Sequence, residues 1–82
     1  MRKSAITPQQ CRAARALLGL SQEQLCEMSG VSRAPLANFE AANSRPYSST
    51  IDSIKTALEA AGVVFIESNG QGPGVRLREP GE

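Results

Sequence analysis

The composition of this 82-residue chain allows one small domain with an aliphatic core, because 40 % of its residues are hydrophobic but only 4 % are aromatic. It contains no histidine, and its two cysteines do not form a C-x-x-C motif, which excludes His-based acid–base catalysis and most zinc sites. It also lacks an apolar run of about twenty residues and a signal-peptide pattern, so we expect a soluble, cytoplasmic protein with no membrane partner.

The first predicted helix begins at Pro8, which fits the first helical position. Thr7 is a suitable N-cap, and Gln10 follows it at the spacing of a capping box. The helix is expected to run to about Leu18 and to end at Gly19. Its predicted inward face consists of Cys11, Ala14, Leu17 and Leu18.

Two further helices are predicted close together, separated by a turn at Gly30. Ser21 and Gln24 have the spacing of a second capping box, and Gly30 tolerates the left-handed conformation that a sharp turn needs. Ser32 is a candidate cap for the next helix. The predicted spans are about Gln22 to Ser29 and about Arg33 to Ala42, with buried contacts from Leu25, Cys26, Leu36 and Phe39.

The outward face of the second of these helices carries Arg33, Ala34, Ala37 and Asn38, which suit a DNA major groove. Arg33 can bond guanine O6 and N7 together, although a contact with phosphate or solvent explains it equally well. Asn38 can pair with adenine, and the alanines either touch a thymine methyl or simply favour helix. Gln22 lies at a helix N-terminus, a position that favours a contact with phosphate. The alternative is a side chain that contacts only solvent.

The second half of the chain predicts one more helix and a hairpin. Pro46 interrupts the helical pattern, and Ser49 is a candidate cap for a fourth helix that ends at about Ala61. The apolar run Val63 to Ile66 and the alternating run Val75 to Arg78 flank a turn-rich segment, which predicts a β-hairpin. The expected fold class is therefore mainly α, with four helices and a C-terminal β-hairpin.

The charge is divided unevenly along the chain. Residues 1–45 carry a net charge of +3 and include Arg2 and Lys3 in a short N-terminal arm, whereas residues 46–82 carry −2. The predicted helix–turn–helix therefore lies in the basic half, as expected for a DNA-binding segment.

The segment GLSQEQLCEMSGVSRAPLANFEAA resembles the helix-turn-helix of phage repressors and Cro proteins, the xenobiotic-response-element family. The matching positions are Gly19, Leu20, Ser21, Gln22, Leu25, Cys26, Gly30, Val31, Ser32, Phe39 and Glu40. The resemblance covers about residues 6–62 and implies a lambda-repressor-like fold and a sequence-specific transcriptional regulator, expected to be a repressor. The chain departs from the family pattern at Cys26, which replaces alanine, at Pro35 in the recognition helix, and after Gly62, where a strand replaces a fifth helix.

The resemblance also implies roles for single residues. Gln22 would meet the DNA backbone, as would the loop after the recognition helix, which contains Arg45. Arg15 and Glu40 would form a structural pair that ties the first helix to the end of the third. The full predicted DNA-binding set is Gln22, Ser32, Arg33, Ala34, Ala37, Asn38, Asn43, Ser44 and Arg45.

Residues 63–79 are expected to form a hairpin that serves as a dimerisation element and belongs to the same domain as the DNA-binding residues 1–62. The run Val63 to Ile66 is apolar at four consecutive positions, so both faces of that strand favour burial. One face can pack on the helices, and Val64 or Ile66 on the other face can contact a second copy. The alternative is a strand that packs only on its own helices. Arg76 and Arg78 fit the solvated face of an edge strand.

The expected partner is double-stranded DNA, bound by a homodimer without a cofactor. An enzyme is not expected, because the chain has no nucleophile–base pair and no phosphate loop. One alternative is the antitoxin of a toxin–antitoxin pair, which would bind both DNA and a small partner protein, and another is a protein-interaction module that does not bind DNA. Cys11 and Cys26 are most simply small buried side chains, since a redox pair would need adjacent thiols.

Overall fold

Four helices and a two-stranded hairpin make up residues 5–79, the part of the chain that this computed structural model describes. The elements are α1 (Pro8–Leu18), α2 (Gln22–Ser29), α3 (Arg33–Glu40), α4 (Ser48–Ala60), β1 (Val63–Ile66) and β2 (Gly74–Leu77). This architecture confirms the predicted fold class. Within residues 5–79, none of the helices combines the length and the apolar character needed to cross a membrane. The predicted N-terminal arm with Arg2 and Lys3 lies outside the described residues.

Complete capping boxes fix the starts of α1 and α2. Thr7 Oγ1 accepts a hydrogen bond from the backbone N–H of Gln10 at 3.0 Å, and Gln10 Oε1 accepts one from the N–H of Thr7 at 2.9 Å. Ser21 and Gln24 repeat this arrangement at the start of α2. Gly30 ends α2 in the left-handed conformation, with a φ of 73°. These predictions are confirmed, and together they set the sharp turn that leads into α3.

The boundaries of α3 and α4 differ from the prediction. Ser32 is the N-cap of α3 but its side chain makes no capping hydrogen bond, and the helix ends at Glu40 rather than Ala42. Ala42 has a φ of 60°, so the chain has already left the helical conformation there. The predicted cap at Ser49 is wrong: α4 begins at Ser48, and its N-cap is Tyr47, two residues before the predicted one. The Tyr47 carbonyl accepts the first backbone hydrogen bonds of α4, so no hydroxyl cap is needed to define its start.

One hydrophobic core joins the helices to the hairpin. Leu17, which was predicted to face inward, is exposed. Leu18 packs on the core, whereas Leu17, about 100° away around the helix, lies beyond the edge of the side that Cys11 and Ala14 bury. The buried core residues are Ile6, Cys11, Ala14, Leu25, Leu36, Phe39, Ile51, Ile54, Leu58 and Val63.

The hairpin lays one face on the helices and turns the other outward. Its strands pair antiparallel, with Val64 opposite Arg76 and Ile66 opposite Gly74. β2 begins at Gly74, one residue earlier than predicted. Val64 is half-buried and Ile66 is 40 % exposed on the outward face. The inward face packs against the core through Val63, Phe65, Val75 and Leu77.

Gln10 connects α1 to the open end of the hairpin loop. Its side-chain Nε2 donates to the carbonyl oxygens of Ile66 at 3.2 Å and Gly74 at 2.9 Å, which are partners across the two strands. Its Oε1 meanwhile completes the capping box with Thr7. A single buried side chain therefore fixes both the start of α1 and the point where the strands meet the loop.

Candidate nucleic-acid interface

The recognition surface is the exposed side of α3, and the opposite side of this helix is anchored in the core. The anchoring residues are Leu36, Phe39 and Glu40, all buried. The exposed residues at the start and middle of α3 are Arg33, Ala34 and Asn38, and Ala37 is half-buried beside them. Pro35 is the third residue of the helix, where the N–H groups have no partner within the helix, so its missing N–H leaves α3 intact.

The residues flanking α3 are also exposed. Ser32 precedes the helix, and Asn43, Ser44 and Arg45 follow it in the loop to α4. Within residues 5–79, the side chains of Asn38 and of these three loop residues make no hydrogen bond to other protein groups. Their polar groups are therefore satisfied only by solvent, which leaves them available to a ligand.

Glu40 joins three helices through a buried carboxylate. Only 2 % of Glu40 is exposed. Its Oε1 accepts hydrogen bonds from Arg15 Nη2 at 2.7 Å and Gln22 Nε2 at 2.9 Å. Its Oε2 accepts from Arg15 Nε at 2.8 Å and from the thiol of Cys11 at 3.1 Å. Arg12 donates to the backbone carbonyl of the same residue. The end of α3 is thereby held to both α1 and α2.

The protonation states within this cluster follow from its geometry. Burial acts to raise the pKa of Glu40, but the hydrogen bonds it accepts, first from Arg15, and the charge of Arg15 outweigh burial and lower that pKa. The hydrogen bond to Glu40 raises the pKa of Arg15. Burial, followed by the hydrogen bond and charge of Glu40, raises the pKa of the Cys11 thiol far above its ordinary value. At neutral pH the carboxylate is therefore ionised and the thiol keeps the proton that it donates.

Gln22 extends this buried cluster to the recognition surface. Its Oε1 accepts a hydrogen bond from Arg33 Nε at 3.1 Å, while its Nε2 is bound to Glu40. The structure thus brings Arg15, Glu40, Gln22 and Arg33 into one connected set. Asn38 and the loop that contains Arg45 are not part of it.

The contacts of Gln22 with Arg33 and Glu40, and that of Cys11 with Glu40, were not predicted from the sequence. Gln22 and Arg33 are the first residues of successive helices, and this shared position is the only sequence signal for their contact. Cys11 and Glu40 are 29 residues apart, and no pattern in the sequence connects them. Both cysteines are free thiols, with Cys11 buried and Cys26 half-buried.

A family model described as helix-turn-helix matches residues 12–62, which is more than half of the chain. The match contains all of α2, α3 and α4 and the greater part of α1. No curated protein matches this sequence.

Proposed function

Since the chain belongs to the helix-turn-helix family and is a DNA-binding regulator of the Cro type, we propose that it is a sequence-specific transcriptional repressor that reads the major groove with α3. The observation that supports this proposal most is the division of α3 into two sides. One side is anchored in the core and held through Glu40, and the other exposes side chains that can bond to base edges or fit close to them. A recognition helix needs both properties, because base contacts discriminate only when the helix is held rigidly.

Each exposed residue of α3 has a chemistry that base edges can recognise. Arg33 can donate to O6 and N7 of guanine, and Asn38 can form two hydrogen bonds with adenine. Asn38 is also exposed, five residues after Arg33 and therefore about 140° from it around the helix, with Ala34 and Ala37 between them. Ala34 and Ala37 are small enough for a thymine methyl group to approach them. This combination predicts a site that contains both guanine and adenine.

The loop after α3 supplies the proposed phosphate contacts. Arg45 provides a charge, and Asn43 and Ser44 provide neutral hydrogen-bonding groups. Contacts of this kind place the recognition helix on the duplex without reading its sequence. They also make binding depend on salt, since each neutralised phosphate releases counterions.

The proposed repressor acts as a homodimer that forms through the outward face of the hairpin. Val64 and Ile66 are on this face, and Gly74, opposite Ile66, contributes no side chain that would cover it. Apolar side chains on an exposed strand favour a second copy, and a small monomer has little else to cover them. A two-fold dimer would place its recognition helices on half-sites about 34 Å apart, one turn of DNA.

The direct test is to select a binding site from random duplexes and to measure how variants bind it. Arg33→Ala is expected to cost about 1–3 kcal/mol on the selected site and to relax the preference at one base pair. Arg78→Ala is the matched control, because it removes the same charge from an exposed residue that follows β2 and whose guanidinium donates to the Glu59 carbonyl rather than to any residue of α3. Equal losses on selected and random DNA would show that Arg33 contacts only phosphate and would contradict base reading.

Assembly is tested separately by sedimentation. Ile66→Lys is expected to split the dimer while leaving the helices folded, whereas Asn69→Lys, in the exposed hairpin loop, is expected to leave the dimer intact. If the wild-type chain sediments as a monomer at high micromolar concentration with its selected DNA present, the proposed dimer is wrong.

A further inference from the structure

We propose that the free edge of β2 is a docking site for an extended segment of a partner protein. The segment joins the hairpin as a third strand and places an acidic residue, flanked by two apolar residues, opposite Arg76. This edge lies outside the recognition surface of α3, and the proposed dimer uses side chains of β1, so the docking site does not require DNA binding.

The backbone of β2 leaves hydrogen-bonding groups without a partner. The N–H of Arg78 donates to the carbonyl of Gly62 at 2.7 Å, and the register of the strands places these two residues opposite each other. Hydrogen-bonded and non-hydrogen-bonded pairs alternate along an antiparallel ladder, so Val75 and Leu77 direct their N–H and C=O groups away from β1. Within residues 5–79, no other element bonds to these four groups. β2 therefore presents a row of donors and acceptors that an added strand can use.

Helix α1 runs alongside this edge. β2 packs over α1, whereas β1 packs over α4. Gln10 Nε2 donates to the Gly74 carbonyl at one end of β2, and Leu18 lines a groove with Leu77 at the other end. An added strand would therefore lie between the edge of β2 and the exposed side of α1.

The exposed side of α1 beside β2 is apolar. A groove of about 400 Å³ lies between the start of α1 and the start of β2, with Ala13 and Val75 among its walls. Ala16 and Leu17 continue the exposed surface along α1, and Leu17 is 45 % exposed. Ala13, Ala16 and Leu17 share about 100° of the helix circumference with Gln9, and none of the four is charged. Apolar side chains of an added strand can cover this surface.

The pleat of the sheet decides which surface each residue of the added strand meets. Val75 and Leu77 are half-buried and pack on the core, whereas Arg76 is exposed on the opposite face. Residues opposite Val75 and Leu77 therefore face α1, and the residue opposite Arg76 faces outward. Arg76 makes no hydrogen bond or ion pair within residues 5–79. Its charge favours an acidic residue in the added strand, because opposite charges directly across a ladder stabilise the pairing.

The same arginine argues against a second copy of this chain as the occupant. A two-fold antiparallel pairing of β2 with itself that satisfies all four free groups pairs Val75 with Leu77 of the second copy. This register places the two Arg76 side chains directly opposite each other, where like charges are destabilising. A segment that supplies a carboxylate avoids this repulsion, so the structure favours a different protein as the partner.

The experiment begins with a displayed library of random peptides of about ten residues, selected on the full-length chain. The selected peptides are expected to share an acidic residue between two apolar residues. In nitrogen-15 spectra, the tightest of them is expected to slow amide hydrogen exchange at Val75 and Leu77 at least several-fold. The same peptide is expected to leave exchange in α3 unchanged.

Variants of the chain then locate the bound peptide. Arg76→Glu is expected to weaken the selected acidic peptide about three- to tenfold and to strengthen the same peptide with lysine in place of its acidic residue. Ala13→Lys is expected to weaken both peptides, because it places a charge in the groove. Ala60→Lys, on the exposed side of α4, is the matched control and is expected to leave binding unchanged. All three positions are exposed, so the variants are expected to fold.

The proposal is wrong if no peptide is selected, if the selected peptides leave exchange at Val75 and Leu77 unchanged, or if Arg76→Glu does not reverse the charge preference. Exchange at these amides that slows as the concentration of the free chain rises would show that a second copy occupies the edge, and it would also overturn the proposal. None of these outcomes bears on the effect of Arg33→Ala, so DNA reading and peptide docking stand or fall separately.

Discussion

Replacing Glu40 by glutamine keeps the size of a buried side chain and removes its charge at the point where four donors converge. In the wild-type protein Arg15 and Gln22 donate to one oxygen, and Arg15 and Cys11 donate to the other. An amide has a single accepting oxygen, so its NH2 group must face two of these donors. Glu40→Gln therefore places the new NH2 group against other hydrogen-bond donors and leaves the Arg15 guanidinium without its counter-charge.

The expected cost follows from how far the pair is removed from water. The side chain of Glu40 is 3 % exposed and that of Arg15 is 20 % exposed. Breaking a buried ion pair costs about 3–5 kcal/mol and an exposed one about 0–1 kcal/mol. Arg15 keeps part of its hydration and its hydrogen bond to the Leu20 carbonyl, so we expect a loss of about 2–3 kcal/mol in the free energy of unfolding. For a domain of this size, that lowers the Tm by roughly 8–24 °C.

The assay is urea unfolding followed by circular dichroism at several pH values. The pKa of Glu40 is lowered in the folded state, so folding favours the ionised form. This contribution is present above the ordinary glutamate pKa of about 4.3 and is lost as the pH falls through the folded pKa. The difference in stability between the wild-type protein and Glu40→Gln is therefore expected to be full at pH 7 and to shrink in acid.

Glu27→Gln is the control for this experiment, because Glu27 is an exposed glutamate on α2. It should change the stability by less than about 0.5 kcal/mol. The reasoning would be refuted if Glu40→Gln were as mild as the control at pH 7. It would also be refuted if the gap between Glu40→Gln and the wild-type protein stayed constant down to strongly acidic pH.

Three further predictions concern other parts of the molecule. Cys11 is buried, and its pKa is raised first by burial and then by Glu40. A thiol reagent at pH 8 should therefore modify Cys26 in the native protein well before Cys11. Equal modification rates in the two single-thiol variants would contradict this prediction. Arg45→Ala should weaken binding to selected and random DNA alike and lower the slope of log affinity against log salt by about one, and an unchanged slope would remove Arg45 from the phosphate contacts. Gln10→Ala should speed amide hydrogen exchange in the hairpin more than in α3, and a uniform increase would mean that Gln10 acts only as a helix cap.

The features of the fold that depend on short sequence spacings could be predicted to the residue. The capping box of Thr7 and Gln10 and the turn at Gly30 need only residues within one helical turn of each other. Ser32 and Ser49 have side chains that can cap a helix, but the presence of a hydroxyl does not determine where the helix begins or whether the capping hydrogen bond forms. In α4 the helix simply starts earlier, where the Tyr47 carbonyl can accept from the chain ahead.

The candidate site was predictable in its outline but not in its connections. Helical periodicity places Ala34 and Asn38 on the side of α3 away from its buried residues, whereas Arg33, seven residues before Glu40, is exposed in the first turn of the helix. The pair of Arg15 and Glu40 was expected from the family resemblance rather than from any spacing. The bonds that Gln22 makes to Arg33 and Glu40 depend on how three helices meet, and such distances are set by packing rather than by local sequence.

The two hydrogen bonds from Gln10 also allow the length of the hairpin loop to change without disturbing the rest of the molecule. They bind the carbonyls of Ile66 and Gly74, so the strand ends are held before the loop of residues 67–73 begins. This loop is exposed along its whole length. Doubling the length of such a loop costs only about 0.6 kcal/mol in closure entropy. The loop is therefore the natural place to insert a peptide tag or a fluorescent label while the recognition helix stays undisturbed.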